Sequence, residues 1–123
     1  NFLNNKIRDK IEIIENIKIS SKNKLIIFIN YSGQSDITNS INNLKKFSKI
    51  NEQSFSKKLH TKNLPNPDLL IRTGGFQRLS NFMLYQLAFT ELCFTKKLWP
   101  DLKNTDIDRY IKNYYRIDRK FGL

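Results

Sequence analysis

A chain of 123 residues is one domain or a piece of one, and 22 basic against 11 acidic residues leave a net charge of +11. No apolar run is long enough to span a bilayer. The single cysteine, Cys93, excludes an intramolecular disulfide and reads as a buried structural thiol suited to a reducing cytoplasm; the single histidine, His60, has no companion for a metal set or a nucleophilic relay.

The charge invites a nucleic-acid reading. Lysine supplies most of it, spread from Lys6 and Lys10 through Lys45, Lys46, Lys57 and Lys62. No aromatic–basic interleaving of the RNA-binding kind accompanies these lysines, so they read as a solvated face. Only six residues are arginine, and two of them, Arg72 and Arg78, flank a glycine turn, where a planar two-pronged fork matters and an ammonium would not substitute.

In chain order, Leu3, Ile7, Ile11 or Ile14, and Ile17 recur at steps of three and four, which predicts an amphipathic helix over 4–18. Lys24–Ile29 is a continuous isoleucine-rich run, the pattern of a strand buried on both faces. It leads into Asn30-Tyr31-Ser32-Gly33, a loop at a strand's carboxyl end, where open parallel sheets bind ligands. Asp36 is expected to cap a helix carrying Ile37, Ile41, Leu44 and Phe47 on one face. Glu52–His60 should form a shorter one around Phe55 and Leu59. Leu64-Pro65-Asn66-Pro67 is a rigid approach to the next strand.

The stretch from Pro67 to Leu102 organises the rest. Leu69-Leu70-Ile71, bracketed by Asp68 and Arg72, predicts a second strand buried on both faces, and Thr73-Gly74-Gly75 ends it in a sharp turn. Arg78 follows Arg72 by six residues across that turn. Ser80 and Asn81 are the expected N-caps of a short buried helix bearing Phe82, Leu84, Leu87 and Ala88. A strand end, a glycine turn, two guanidinium forks and a helix N-terminus suit a phosphate or diphosphate. Glu91-Leu92-Cys93-Phe94 predicts a third strand. The carboxylate at its mouth is costly to bury unless paired or metal-bound, so Glu91 reads either as a metal ligand or as the ion-pair partner of Arg72 or Arg78. Trp99-Pro100-Asp101 is expected as a packed corner. Thr105 and Asp108 are expected to cap a last helix with Ile107, Ile111, Tyr114 and Ile117 on one face. The β–α–α–β order argues an α/β fold with a mainly parallel sheet flanked by helices.

The block IRTGG-x-QRLSNF-x-L-x-QLAFTEL-x-F-x(4)-WPD resembles the C-terminal signature of the cis-prenyltransferase family, the undecaprenyl diphosphate synthase-like enzymes, and covers about a third of the chain. Weaker matches lie at Phe28–Gly33 and at the tail Arg119-Lys120-Phe121-Gly122. The resemblance implies that residues 1–123 are the C-terminal portion of a single domain. Its N-terminal half, with the Met-Asp-Gly-Asn-Gly-Arg loop and its catalytic aspartate, is absent here. It implies condensation of isopentenyl diphosphate onto an allylic diphosphate such as farnesyl diphosphate, with new Z double bonds. Arg72, Arg78 and Ser80 would bind the isopentenyl diphosphate, and Glu91 would lie beside Mg²⁺. Lys120 and Gly122 would belong to a tail that crosses a homodimer. The implied protein is cytoplasmic, possibly peripheral at the membrane that receives its product, and takes no nucleic acid. Three departures stand out: Ser32 and Gln34 where the family usually has a second glycine and an arginine, Phe76 where glutamate is common, and Lys120 where the tail carries arginine. The rival readings are a non-catalytic partner subunit of such an enzyme and a basic nucleic-acid-binding module. On any family reading the chain alone is expected to be inactive and prone to associate.

Overall fold

The computed structural model of the chain describes residues 4–17, 22–44 and 49–120. Its centre is a parallel pair, β1 (Leu69–Arg72) and β2 (Glu91–Phe94), with Leu69 opposite Glu91 and Arg72 opposite Phe94. Helices α1 (Asn5–Glu15), α2 (Gly33–Leu44), α3 (Glu52–Ser56) and α4 (Asn104–Tyr114) complete an α/β arrangement. A parallel pair needs a long crossover. Here residues 73–90 provide it, and they carry most of the polar chemistry.

Both strands stand where the apolar runs place them, half-buried along most of their length; only Leu92 is exposed. The expectation of burial on both faces is therefore too strong. The run at 24–29 does not form the expected strand. It is unpaired, and Leu25 and Ile27 are 86% and 60% exposed. An apolar run becomes a strand only beside a free row of backbone donors and acceptors. Among the described residues β1 and β2 pair only with each other. Phe28 anchors the segment, by edge-to-face contacts with Tyr31 at 5.0 Å and Phe82 at 5.7 Å.

Helix α1 stops at Glu15, short of the expected 4–18, and none of its residues is buried; residue 18 lies outside the described residues. The expected helix over Glu52–His60 shortens to Glu52–Ser56 and continues as turns, with Asn51 accepting from the Ser54 amide at 2.8 Å as its cap. Leu44, Leu59, Met83, Leu87 and Tyr110 form the buried apolar core, with Phe55 stacked edge-on to Tyr85 at 4.9 Å. Phe47, expected on the α2 face, lies outside the described residues.

Two caps differ from expectation. Asp36 does not cap α2; Ser32 does, its hydroxyl accepting from the Ser35 amide at 3.2 Å, while Asp36 sits inside the helix and is buried. Helix α4 begins at Asn104, ahead of the Thr105-to-Asp108 cap. Asp106 reaches back to accept from the Lys103 amide at 3.0 Å, which satisfies one of the unpaired N–H groups at a helix start. Trp99–Asp101 is a single 3₁₀ turn, a corner as expected, yet Trp99 is 75% exposed and unpacked.

Candidate functional site

The candidate site lies at the carboxyl end of β1. Ile71 and Arg72 end the strand, and Gly74 and Gly75 turn the chain with φ of +87° and +82°, a region open to glycine at no steric cost. The turn is clamped to the segment after β2: the Gly74 amide donates to the Lys97 carbonyl at 2.8 Å and the Gly75 amide to the Thr95 carbonyl at 2.9 Å. Lys97 is held in turn by α4, its ammonium 2.7 Å from Asp106, which also receives Arg109 at 3.1 Å. The Lys97 ammonium and the Lys103 amide hold the Asp106 carboxyl below its ordinary pKa.

Arg72, Arg78 and Ser80 come together as the sequence predicts. One guanidinium nitrogen of Arg72 donates to the Arg78 carbonyl and lies 3.0 Å from the Ser80 hydroxyl. Arg72 thus folds the Phe76–Ser80 loop back over the strand end. The exposed Arg78 guanidinium stacks on the Phe76 ring at 4.2 Å, and Arg72 lies 5.9 Å from the same ring. Phe76, the residue that departs from the family pattern, supports Arg78 from one face and leaves its N–H edges pointing elsewhere.

The helix expected to start at Phe82 does not form. Ser80, Asn81 and Met83 have φ of +50°, +66° and +44°, and residues 84–89 run as turns. Asn81, expected as the cap of that helix, caps α2 instead. Its carbonyl accepts the Gly33 amide at 2.8 Å, its side-chain oxygen accepts the Gln34 amide at 2.8 Å, and its side-chain amide donates to the Ser32 hydroxyl at 2.9 Å. The approach is so close that a Cβ on Gly33 would sit 2.9 Å from a Leu84 side-chain carbon.

Behind this loop lies a buried polar cluster in which Tyr31 belongs to the loop expected to meet a ligand, while Asp36, Thr61 and Gln86 were not expected there. Asp36 accepts from the Tyr31 hydroxyl at 2.8 Å, the His60 amide at 2.9 Å and the Gln86 side-chain amide at 3.3 Å. Gln86 also donates to Thr61 at 2.8 Å, and its side-chain oxygen has no partner. Burial, and then the bond to Asp36, pushes the Tyr31 phenol up to about 12. A groove of about 510 Å³ opens beside it, lined by Asn30, Tyr31, Ser32, Asp36 and His60 among others. A polar Gln86 between Leu84 and Leu87 was the available signal, because a buried amide needs partners.

Glu91 stands apart from the arginines. The register pairs it with Leu69, three residues before Arg72, so the two ends lie about 10 Å apart along the ladder at ~3.3 Å per residue. Among the described residues Glu91 forms no ion pair with Arg72 or Arg78, so the pairing alternative is not realised. No group of three His, Cys, Asp or Glu side chains among the described residues could hold a metal by itself. In the tail, Arg119 is fastened to the body, 2.8 Å from Asp68, 2.8 Å from the Tyr114 hydroxyl and 3.0 Å from the Phe89 carbonyl. Lys120 is exposed, and Gly122 lies outside the described residues. Burial raises the pKa of the half-buried Cys93 thiol, and no described helix is long and apolar enough to cross a membrane.

Comparison with known proteins identifies relatives along nearly the whole chain. The family model described as "Putative undecaprenyl diphosphate synthase" matches residues 1–122. An isoprenyl transferase of Fusobacterium nucleatum is 41% identical over 120 residues, covering 95% of this chain and 52% of that protein. A ditrans,polycis-undecaprenyl-diphosphate synthase of Coxiella burnetii, (2E,6E)-farnesyl-diphosphate specific, is 44% identical over 108 residues, 81% of this chain and 46% of that one. The crystal structure of lavandulyl diphosphate synthase from Lavandula x intermedia, in complex with dimethylallyl diphosphate, superposes with a TM-score of 0.81 at 36% identity, covering 99% of this chain and 56% of that one. The chain spans about half the length of the curated relatives it matches.

Proposed function

The chain belongs to the undecaprenyl diphosphate synthase family of prenyltransferases, and from that premise we propose that it supplies the isopentenyl diphosphate side of a cis-prenyl transfer site. The observation that carries the reading is the loop folded over the end of β1 by Arg72, which presents Arg78 and Ser80 together. Arg78 brings N–H donors in a fixed plane over Phe76, the arrangement a diphosphate takes in two prongs. Ser80 adds a hydroxyl, and Arg72 shapes the loop while adding its own charge.

In the proposed reaction the allylic C–O bond breaks toward a carbocation as diphosphate leaves. The double bond of isopentenyl diphosphate attacks that carbon, and loss of a proton gives a new Z double bond. Donors fixed before the reaction stabilise the charge on the departing group at no cost of reorganisation. Glu91 fits Mg²⁺ as a hard oxygen donor with no basic partner among the described residues; this ion is commonly held by one or two carboxylates together with substrate phosphates. When bound, Mg²⁺ would neutralise charge on a diphosphate. The chain is, in this reading, the C-terminal portion of one domain. The N-terminal half supplies the aspartate loop, a homodimer brings in the tail containing Lys120 and Gly122, and the product is delivered to a membrane.

Titration calorimetry with isopentenyl diphosphate tests the reading. Arg78→Lys should weaken binding by about 1–3 kcal/mol, the range of a charge-assisted hydrogen bond. Unchanged affinity would remove Arg78 from the site. Nucleic-acid binding that falls steeply with salt, without diphosphate binding, would move the function to the basic-module alternative.

A further inference from the structure

We propose that Asn81 is a positioning residue that makes the Ser80 loop and the head of α2 one rigid unit, so that diphosphate affinity depends on a side chain that never touches the diphosphate. The inference rests on Arg72, Arg78 and Ser80 being the diphosphate site. Asn81 is the next residue after Ser80, and both are left-handed, with φ of +66° and +50°. Left-handed conformations in residues other than glycine persist where surrounding contacts over-determine them. Here the contacts are identifiable. On one side Arg72 holds Ser80 at 3.0 Å. On the other, Asn81 uses its carbonyl, side-chain oxygen and side-chain amide on Gly33, Gln34 and Ser32, at 2.8, 2.8 and 2.9 Å.

These bonds span 47 and 49 residues of sequence for the two side-chain contacts, so they join two loops that local propensity would leave independent. The Gly33 contact shows that the join is tight: a Cβ there would lie 3.1 Å from the Asn81 carbonyl oxygen as well as 2.9 Å from Leu84. The Asn30–Ser32 side of the join also lines the groove beside Tyr31 and Asp36. Ser80 therefore inherits its position from α2. A Ser80 hydroxyl free to follow Asn81 to other backbone states would meet a diphosphate in only a fraction of molecules, and apparent affinity falls by that fraction.

The experiment uses the 123-residue chain and Asn81→Gly, which tolerates the positive φ, keeps the backbone carbonyl, removes the side-chain bonds and adds backbone freedom at 81. Two readouts are taken: amide hydrogen exchange at Gly33 and Gln34, and calorimetric binding of isopentenyl diphosphate. The expected result is exchange at Gln34 faster by at least about tenfold and affinity weaker by about tenfold, with far-UV circular dichroism unchanged. Faster exchange with undiminished affinity would show a purely structural clip and overturn the proposal. So would unchanged exchange.

Failure of the function reading is separable. If the unsubstituted chain binds no isopentenyl diphosphate, that reading falls, and coupling is read without ligand from Arg72→Met, which releases Ser80. Faster exchange at Gln34 in Arg72→Met then supports the rigid unit, and unchanged exchange overturns it. Should Asn81→Gly fail to fold, Ser32→Ala removes the Asn81–Ser32 bond together with the cap bond to the Ser35 amide, so affinity alone decides: a loss supports the proposal and unchanged affinity overturns it.

Discussion

Asp36 is a buried carboxylate that ties three separate segments together, and its removal gives a sharp test of how the chain is held together. It is 2% exposed and accepts three hydrogen bonds, from Tyr31, the His60 amide and Gln86. Asp36→Ala strands these donors at once. A buried donor left unsatisfied costs about 1–3 kcal/mol. The Tyr31 hydroxyl borders the groove and can turn to water, and the Gln86 bond is the longest at 3.3 Å, so these two contribute at the low end. The His60 amide cannot turn. The sum is about 3–5 kcal/mol, a large share of the ~5–15 kcal/mol that holds a typical domain folded.

Asp36→Asn should behave differently. Its remaining oxygen serves the His60 amide, and its new amide faces the Tyr31 oxygen, which can accept. Gln86 can turn its own amide over and use the side-chain oxygen that now lacks a partner. The expected loss is about 1 kcal/mol, one altered hydrogen bond in a rearranged network. Urea denaturation followed by circular dichroism, at one protein concentration for all variants, separates the two. Equal losses for Ala and Asn, or a loss below about 1 kcal/mol for Ala, would refute the hydrogen-bond argument.

Three further outcomes follow from the same contacts. Tyr31 should ionise near pH 12, above the ordinary 10.0; because the folded state holds the proton longer, its contribution to stability is complete below pH 10 and is lost as pH rises from 10 towards 12, and a Tyr31 resonance titrating at 10 would contradict this. Asp106 has a lowered pKa, so its contribution is complete above 3.8 and is lost as pH falls through the depressed value; Lys97→Met should move acid unfolding to higher pH, and an unmoved midpoint would refute the Lys97 assignment. The chain alone should associate, since Leu25, Ile27, Phe89, Leu98 and Trp99 are exposed and both outer edges of the β1–β2 pair lack a ladder partner among the described residues; light scattering from a monodisperse monomer at micromolar concentration would show otherwise.

What could be read beforehand follows from locality. Leu69–Arg72 and Glu91–Phe94 are short apolar runs with polar or glycine boundaries, and such runs are strands wherever a neighbour exists. Their mutual pairing supplied that neighbour. The run at 24–29 has the same composition and is unpaired, because strand formation depends on the facing edge as well as on the run itself. The approach of Arg72 to the Arg78 loop was legible for a local reason too, the two arginines standing six residues apart around a glycine turn. Glu91 was legible as unusual, but its distance from Arg72 became clear only with the register of the ladder.

The cap residues show where local reading ends and why. Ser80 and Asn81 have the chemistry of N-caps, and Asn81 does cap a helix, the one that starts 48 residues earlier at Gly33. Its side chain cannot serve both Gln34 and a helix beginning at Phe82. Once it is committed, Ser80, Asn81 and Met83 take left-handed backbone and a regular helix over 82–88 is lost. Gln86 is drawn to Asp36 in the same way, across 50 residues. Each exchange gives up local helix bonds for bonds that fix one loop against another. For the diphosphate site proposed here, that exchange has a physical benefit. Helical backbone would place Ser80 according to its own sequence neighbours, whereas Arg72 and the head of α2 place it relative to the strand end and the groove. If Arg72, Arg78 and Ser80 bind a diphosphate as proposed, that recognition depends on contacts between segments far apart in sequence.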